Sequence, residues 1–552
     1  MPRDPDRAFF GHPSGLMTLF FTEMWERFSY YGMRALLTLF MVAKVTDGGR
    51  QMTDGATGVV VGLFLASVYL LALPGGWIAD RFLGQRKAVV VGGIGITLGN
   101  LLLALPTDSS FYPGLFLIAI GTGFLKPNVS TLVGQLYSKD DIRRDAGFTI
   151  YYIGINIGAL VAPIACGFLA QSDTFKHFLA GHGIDPRWCW RFAFATASLV
   201  MAMGTVQYLL GGKRLGTAGM HPTIPADPVE AKRGVTILWA IAGSLAAVVA
   251  IFVGLSLAGI AVSKDLIGNI FGIGLLIGSV VLFYFLVKGA RDADEKRRII
   301  AMIPLFIGGI AFFAAFEQAS STLSLFTERF VRRAYLGFKI PATYWQAANS
   351  VFVIGVAPIA AWVWLSLARR KKEPSSVNKF GIGMLFTAGS FALLIPTVAG
   401  ITIIANNLYW GQLTHHEEIM AAATAPHQVS GHYLVGYYLM ATFAELCISP
   451  VGLSSMSKLA PPRMAGMVMG TWFLAAANGN YLAGRAAGFS EARGYGFLFY
   501  TLVIGALVIS VALILVAPTI KRMMGPGTSD AGPLEKSEKA EPEPLPRARV
   551  VE

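Results

Sequence analysis

The stretch LMTLFFTEMWERFSYYGMRALLTLFMVA, residues 16–43, is apolar enough to cross a bilayer yet contains Glu23, Glu26, Arg27 and Arg34. Ionisable groups at membrane depth are costly, so they line polar cavities and pair there. At about 100° per residue, these four and Tyr30 fall within about a third of the helix circumference. Structural ion pairing between helices is the alternative for any one charge. Five polar groups on one stripe favour a spanning helix whose polar face lines an internal cavity.

The rest of the chain agrees with a membrane setting. Of 552 residues, 54% are hydrophobic and 14% are charged, against about 25% charged in a soluble domain. The apolar surplus exceeds what a single core can bury, and it must face lipid. A net charge of +13 could suggest nucleic acid as a partner. The basic residues instead sit in short loops between apolar runs, where they orient a membrane protein. Cys166, Cys189 and Cys447 are far apart and lack CxxC spacing, so no disulfide scaffold, zinc site or other cofactor is expected. Residues 1–13 are polar and the run after them is too long for a signal-peptide core, so the first span is expected to anchor itself.

Apolar runs of about 20 residues, the length that spans a bilayer core of about 30 Å, lie near 16–43, 57–82, 88–106, 111–137, 144–171 and 190–211. Two more fall near 235–257 and 266–288, and a further six near 299–329, 342–368, 378–398, 430–457, 465–487 and 495–518. The expected organisation is therefore a first six-helix bundle (1–211), a linker with two extra helices (212–298), a second six-helix bundle (299–520) and a disordered tail (521–552). Two such halves predict a transporter built from repeats, with its site between them. Arg81, Arg86, Lys87, Lys213, Arg214, Arg369 and Arg370 are among the cations that fall on one side, whereas the long 399–429 loop has no Lys or Arg. This asymmetry puts both termini in the cytoplasm.

Three more charges sit in apolar spans: Lys126 beside Pro127, Glu317 within 312–325, and Glu445 within 441–450. Proline at that point is expected to interrupt helix hydrogen bonding near Lys126. If the halves pack as repeats, Arg34 and Lys126 face carboxylates of the second half. A zwitterion fits that cavity, with its carboxylate toward Arg34 and Lys126 and its amine toward Glu445. Protonating a paired carboxylate would break an ion pair and favour one gate state. All eight histidines lie in loops or at span ends, so a proton path must rest on carboxylates. An enzyme would need a nucleophile–base pair or metal ligands at cavity depth, and the His and Cys positions provide neither.

Two motifs carry a family resemblance. Gly76-Trp-Ile-Ala-Asp80-Arg81-Phe-Leu-Gly84-Gln-Arg-Lys87 resembles the GxxaDrxxGxrk loop of the major facilitator superfamily, which implies a gating loop at Asp80, Arg81 and Gly84. Glu23-Met-Trp-Glu26-Arg27-Phe-Ser-Tyr30-Tyr31-Gly32 resembles the ExxERFxYYG motif of the proton-coupled oligopeptide transporters at every fixed position. Similar stretches follow at 123–128, 151–158, 316–318 and 445–453, and the helices at 235–288 resemble those of bacterial members.

The resemblance implies an all-α membrane protein of the major facilitator fold, with 14 helices, in the plasma (bacterial inner) membrane. It would import di- and tripeptides together with protons and need no cofactor. By position it implies that Arg34, Lys126 and Asn156 bind the peptide carboxylate, with Tyr30 and Tyr69 nearby. Asn349 and Glu445 would hold the amino end, and Trp472 would form a pocket wall. Glu23, Glu26 and Glu317 would couple protons, pairing with Lys126 or Arg34, with Arg27 in the same group. Gly62 stands where animal members carry a histidine, so a histidine-based scheme does not transfer. A drug/proton antiporter or a nitrate or metabolite symporter of the same superfamily is the competing reading.

Overall fold

The computed structural model describes residues 8–138, 141–222, 263–335, 338–398, 429–459 and 464–524, with Pro461 and parts of 232–254. The first bundle consists of α1 (Ser14–Val42), α2 (Asp54–Ile78), α3 (Gln85–Ala104), α4 (Phe111–Gln135), α5 (Arg144–Gln171) and α7 (Cys189–Gly211). A short amphipathic helix, α6 (Asp173–Gly181), lies between the last two and was not anticipated. Then come α8 (Lys264–Lys288), α9 (Ala293–Phe316), α10 (Thr322–Phe330), α11 (Tyr344–Arg369), α12 (Ser376–Ala392), α13 (His432–Leu459) and α14 (Ala465–Met524). Among the described residues the only strand ladder is Ala334–Tyr335 with Phe338–Lys339.

Among the described residues, eleven helices have the length and apolar composition to cross a bilayer. The last of them, α14, holds two spans joined across Gly494, whose φ of 83° breaks the helix. α1 is long enough but falls outside this set, because every stretch of 18 residues in it contains at least three of Glu23, Glu26, Arg27 and Arg34. The fold is thus the all-helical architecture expected. Most of the expected 235–257 span, the loop 399–428 and the tail from 525 onward lie outside the described residues.

Two local expectations need correction, and a third holds in a milder form. The 299–329 span is not one helix: α9 stops at Phe316, a 3-10 turn covers Glu317–Ser320, and α10 restarts at Thr322. Pro127 lies inside α4, which continues through it to Gln135; having no N–H, it removes one bond of the helix ladder beside Lys126, as expected, without ending the helix. The final helix extends to Met524, past the expected bundle end at 520.

Within the first bundle α1 packs on α5 and α7, α3 on α4 and α7, and α2 on α4. In the second, α14 packs on α9 and α12, and α12 on α13. Two seams join the bundles, α2 with α14 and α5 with α11. Glycine makes the first seam possible. A Cβ at Gly58 would stand 2.2 Å from the Gly484 carbonyl oxygen, and one at Gly484 would stand 2.3 Å from the Gly58 carbonyl oxygen. Backbones that close associate by van der Waals packing that any larger residue would prevent. Gly62 belongs to the same crossing, 3.0 Å from the Gly484 Cα by its added Cβ. α8 lies across this seam: Gly268 faces Val59 of α2, while Asp265 pairs with Arg485 of α14 at 2.8 Å.

Candidate functional site

Between the bundles is a cavity of about 790 Å³, within the range of small-ligand sites, roughly 300–1,000 Å³. Tyr30, Arg34, Tyr69, Lys126 and Asn156 line it from the first bundle, and Asn349, Glu445 and Trp472 from the second. Arg27 and Glu317 reach it too. Glu23 and Glu26 stand behind that wall, buried at 2% and 0% exposure.

The helix break at Phe316 decides where Glu317 points. The 3-10 turn ends at Ser321, with φ −116° and ψ −102°, and turns Glu317 toward α1. There the Arg34 guanidinium donates to the Glu317 carboxylate and to Ser320 Oγ at 3.0 Å. Thr38 Oγ1 donates to the Ser320 carbonyl at 2.7 Å. These bonds tie α1 to the second bundle at mid-chain depth of the site.

The α1 carboxylates pair differently from expectation. Arg27, not Lys126 or Arg34, is their partner: its Nε lies 3.1 Å from Glu23 Oε1 and also bonds Glu26 Oε2. Lys126 instead stands over the Tyr69 ring, Nζ 4.6 Å from the centroid, a cation–π contact that leaves the ammonium facing the cavity. Neighbours three or four residues apart on a helix meet side by side, so Arg27 reaches Glu23 within its own helix.

On the opposite wall Asn349 Nδ2 donates to Glu445 Oε2 at 3.1 Å and to Thr442 Oγ1 at 3.2 Å, which orients the carboxylate. Trp472 lies against two glycines. A Cβ at Gly452 would stand 2.3 Å from its Cη2, and one at Gly309 would stand 3.3 Å from its Cζ3. Phe313 meets the indole edge-on with centroids 5.6 Å apart. The cavity is therefore cationic on one side, anionic on the other, with an aromatic floor.

Four lining tyrosines were missed: Tyr31, Tyr152, Tyr437 and Tyr438. Tyr31 and Tyr152 sat inside the quoted motifs, but a tyrosine in an apolar span raises no flag as a charge does. Tyr151 was missed as well; its hydroxyl donates to Glu23 Oε2 at 2.7 Å.

One end of the molecule is bridged between bundles. Arg329 grips Asp54 with two bonds, 2.5 Å and 2.7 Å, and donates to Tyr495 Oη at 3.3 Å. Glu491 accepts from the Gly55 amide at 2.6 Å, and Gln171 Nε2 donates to Glu328 Oε2 at 2.9 Å. At the other end is the 76–87 loop. Ala79–Leu83 form a π-helical turn, and Gly84, at φ 76°, provides the reversal into α3. Asp80 accepts from Gln85 Nε2 at 2.7 Å, and Arg81 lies 5.8 Å from the Trp77 ring centroid. Arg86 locks the loop to the segment after α7 by donating to the Gly216 and Ala218 carbonyls at 2.6 Å and 2.7 Å. In the α4–α5 turn, side-chain and backbone hydrogen bonds from Arg143 hold the Asp141 carboxyl below its ordinary range.

Comparison with known proteins agrees with this geometry. A family model described as PTR2, POT family, matches residues 86–494. The chain is 35% identical over 528 residues to the peptide transporter YePEPT of Yersinia enterocolitica, covering 94% of this chain and 96% of that one. It is 34% identical over 531 residues to a di-/tripeptide transporter of Lactococcus lactis subsp. cremoris, covering 94% and 98%. A crystal structure of a peptide transporter POT in complex with sulfate superposes with a TM-score of 0.81 at 33% identity, covering 94% of this chain and 97% of that one. With its fold, its inter-bundle cavity and a family match over most of its length, the chain belongs to the POT family of membrane transporters, with the major facilitator fold.

Proposed function

We propose that this protein is a proton-coupled symporter that brings di- and tripeptides across the plasma membrane by alternating access. One observation carries the reading: opposite charges on opposite walls of a single cavity, Arg34 and Lys126 against Glu445. A short peptide is a zwitterion whose ends would find a counter-charge in each bundle, so binding couples to the relative position of the bundles. Peptide-transporter names among close relatives support the same substrate class.

The geometry suggests how the proton enters. Arg34 is held by Glu317, so an incoming peptide carboxylate competes with Glu317 for the guanidinium. A proton on Glu317 removes that competitor and releases the α1 link to the second bundle. Glu23 and Glu26, joined through Arg27, form a second carboxylate store beside Lys126. Taking both termini as cytoplasmic, the end bridged by Asp54 and Arg329 is the outer one, and it is closed in this conformation. A drug antiporter has no use for fixed counter-charges at both ends of its substrate, which weighs against the competing reading.

The test is uptake of a labelled dipeptide into proteoliposomes with and without an inward proton gradient. Accumulation driven by the gradient and abolished by a protonophore is expected. Uptake indifferent to both would overturn the symporter reading.

A further inference from the structure

We infer that Tyr151 separates the two α1 carboxylates in role, holding Glu23 as a fixed anion and leaving Glu26 as the one that takes the proton. This rests on the proton-coupled reading above and asks which atom of that store is used.

The juxtaposition begins with glycine. Tyr151, Gly154 and Gly158 lie on one face of α5, three and four residues apart. A Cβ at Gly158 would stand 2.4 Å from the Met24 carbonyl oxygen and 2.9 Å from Arg27 Cβ, and one at Gly154 would stand 3.0 Å from the Phe20 ring. α5 therefore lies directly on the α1 backbone, and the same face brings the Tyr151 hydroxyl to Glu23 Oε2 at 2.7 Å. Tyr151 is itself buried, at 7% exposure, and no solvent competes for the bond.

The two carboxylates then differ in what they lack. Glu23 accepts the Tyr151 hydroxyl on Oε2 and has the Arg27 guanidinium 3.1 Å from Oε1. Glu26 has Arg27 on Oε2, while its Oε1 is buried with no hydrogen-bond partner among the described residues, as is Arg27 Nη2. A buried ionised oxygen without a donor is unfavourable, and a proton placed on Oε1 removes that penalty without displacing any existing donor. On Glu23, a proton on Oε2 would displace the Tyr151 hydroxyl, and one on Oε1 would face the Arg27 guanidinium at 3.1 Å. The charged and titratable neighbours are Arg27, Glu23 and Tyr31 on α1, Lys126 from α4 and Tyr151 from α5. Neutralising Glu26 leaves Arg27 with Glu23 and takes one anion away from Lys126, freeing that ammonium for a peptide carboxylate.

Infrared difference spectra of the purified protein on acidification, read at the protonated-carboxyl band, test the assignment directly. The band that grows in the unmodified protein should be lost in Glu26→Gln and kept in Glu23→Gln. It should reappear in Tyr151→Phe/Glu26→Gln, where Glu23 has lost its donor. In proteoliposomes, the pH of half-maximal gradient-driven uptake should be unmoved in Tyr151→Phe, because the hydroxyl that is removed bonds Glu23 and not the proton-accepting Glu26. That midpoint does not depend on how much of the variant folds. A band lost in Glu23→Gln instead, or no band in Tyr151→Phe/Glu26→Gln, overturns the inference while gradient-driven uptake persists. Loss of gradient dependence in the unmodified protein overturns the symporter reading as well.

Discussion

Replacing Asp54 by alanine should open the bridged end of the molecule. Asp54 and Arg329 sit on α2 and α10, in different bundles, and share two charge-assisted bonds of 2.5 Å and 2.7 Å. Their side chains are 12% and 29% exposed, so the pair is neither fully hydrated nor dry. Exposed pairs contribute at most about 1 kcal/mol, whereas removing one partner of a buried pair costs about 3–5 kcal/mol. Arg329 stays partly hydrated and keeps Tyr495, which argues for the lower part of that interval, about 1–2 kcal/mol. The loss falls on the closed state, because the two groups are apart and hydrated once the bundles separate. The open population at this end should therefore rise about fivefold to thirtyfold. The Glu491–Gly55 and Gln171–Glu328 links remain and keep the shift from running to completion. Spin labels at exposed Lys44 and Lys339, which line opposite sides of the crevice at this end, report the separation as a second, longer distance. The cycle completed by Arg329→Ala and the double variant isolates the pair. An unchanged distance distribution in Asp54→Ala, or a coupling below about 0.5 kcal/mol, within the error of additivity, would refute the gate assignment.

Two further substitutions probe the cavity and the seam. Arg34→Ala and Glu445→Ala should each weaken dipeptide binding by about 2–5 kcal/mol, the cost of leaving one charge of a desolvated pair unpartnered; calorimetric titration with near-normal affinity in either variant would remove it from the site. Gly58→Ala should force α2 from α14, since its Cβ would stand 2.2 Å from the Gly484 carbonyl oxygen; a loss of about 1–3 kcal/mol in thermal stability is expected, and an unchanged melting temperature would show that the seam yields.

Much of the site was legible because charge in an apolar span is conspicuous. Arg34, Lys126, Glu317 and Glu445 each stand among residues that cannot solvate them, so sequence alone marks them as cavity-facing. The tyrosines were not legible. Tyr31, Tyr152, Tyr437 and Tyr438 can face lipid headgroups, core or cavity with little change in local pattern, and only packing selects among these. The break after Phe316 was hidden for a related reason. The stretch 312–325 has neither glycine nor proline, so local propensity favours a continuous helix.

By itself the sequence determined the solvent, the span lengths and the stripe of charges, because burial of apolar surface and the cost of isolated charge act residue by residue. Partnership was decided only by the tertiary structure. Arg27 rather than Lys126 holds Glu23 and Glu26, Asp54 meets Arg329 from 275 residues away, and Gly58 meets Gly484. Each of these is a contact between elements whose approach depends on all the side chains of both helices at once, and no local pattern along the chain encodes that distance.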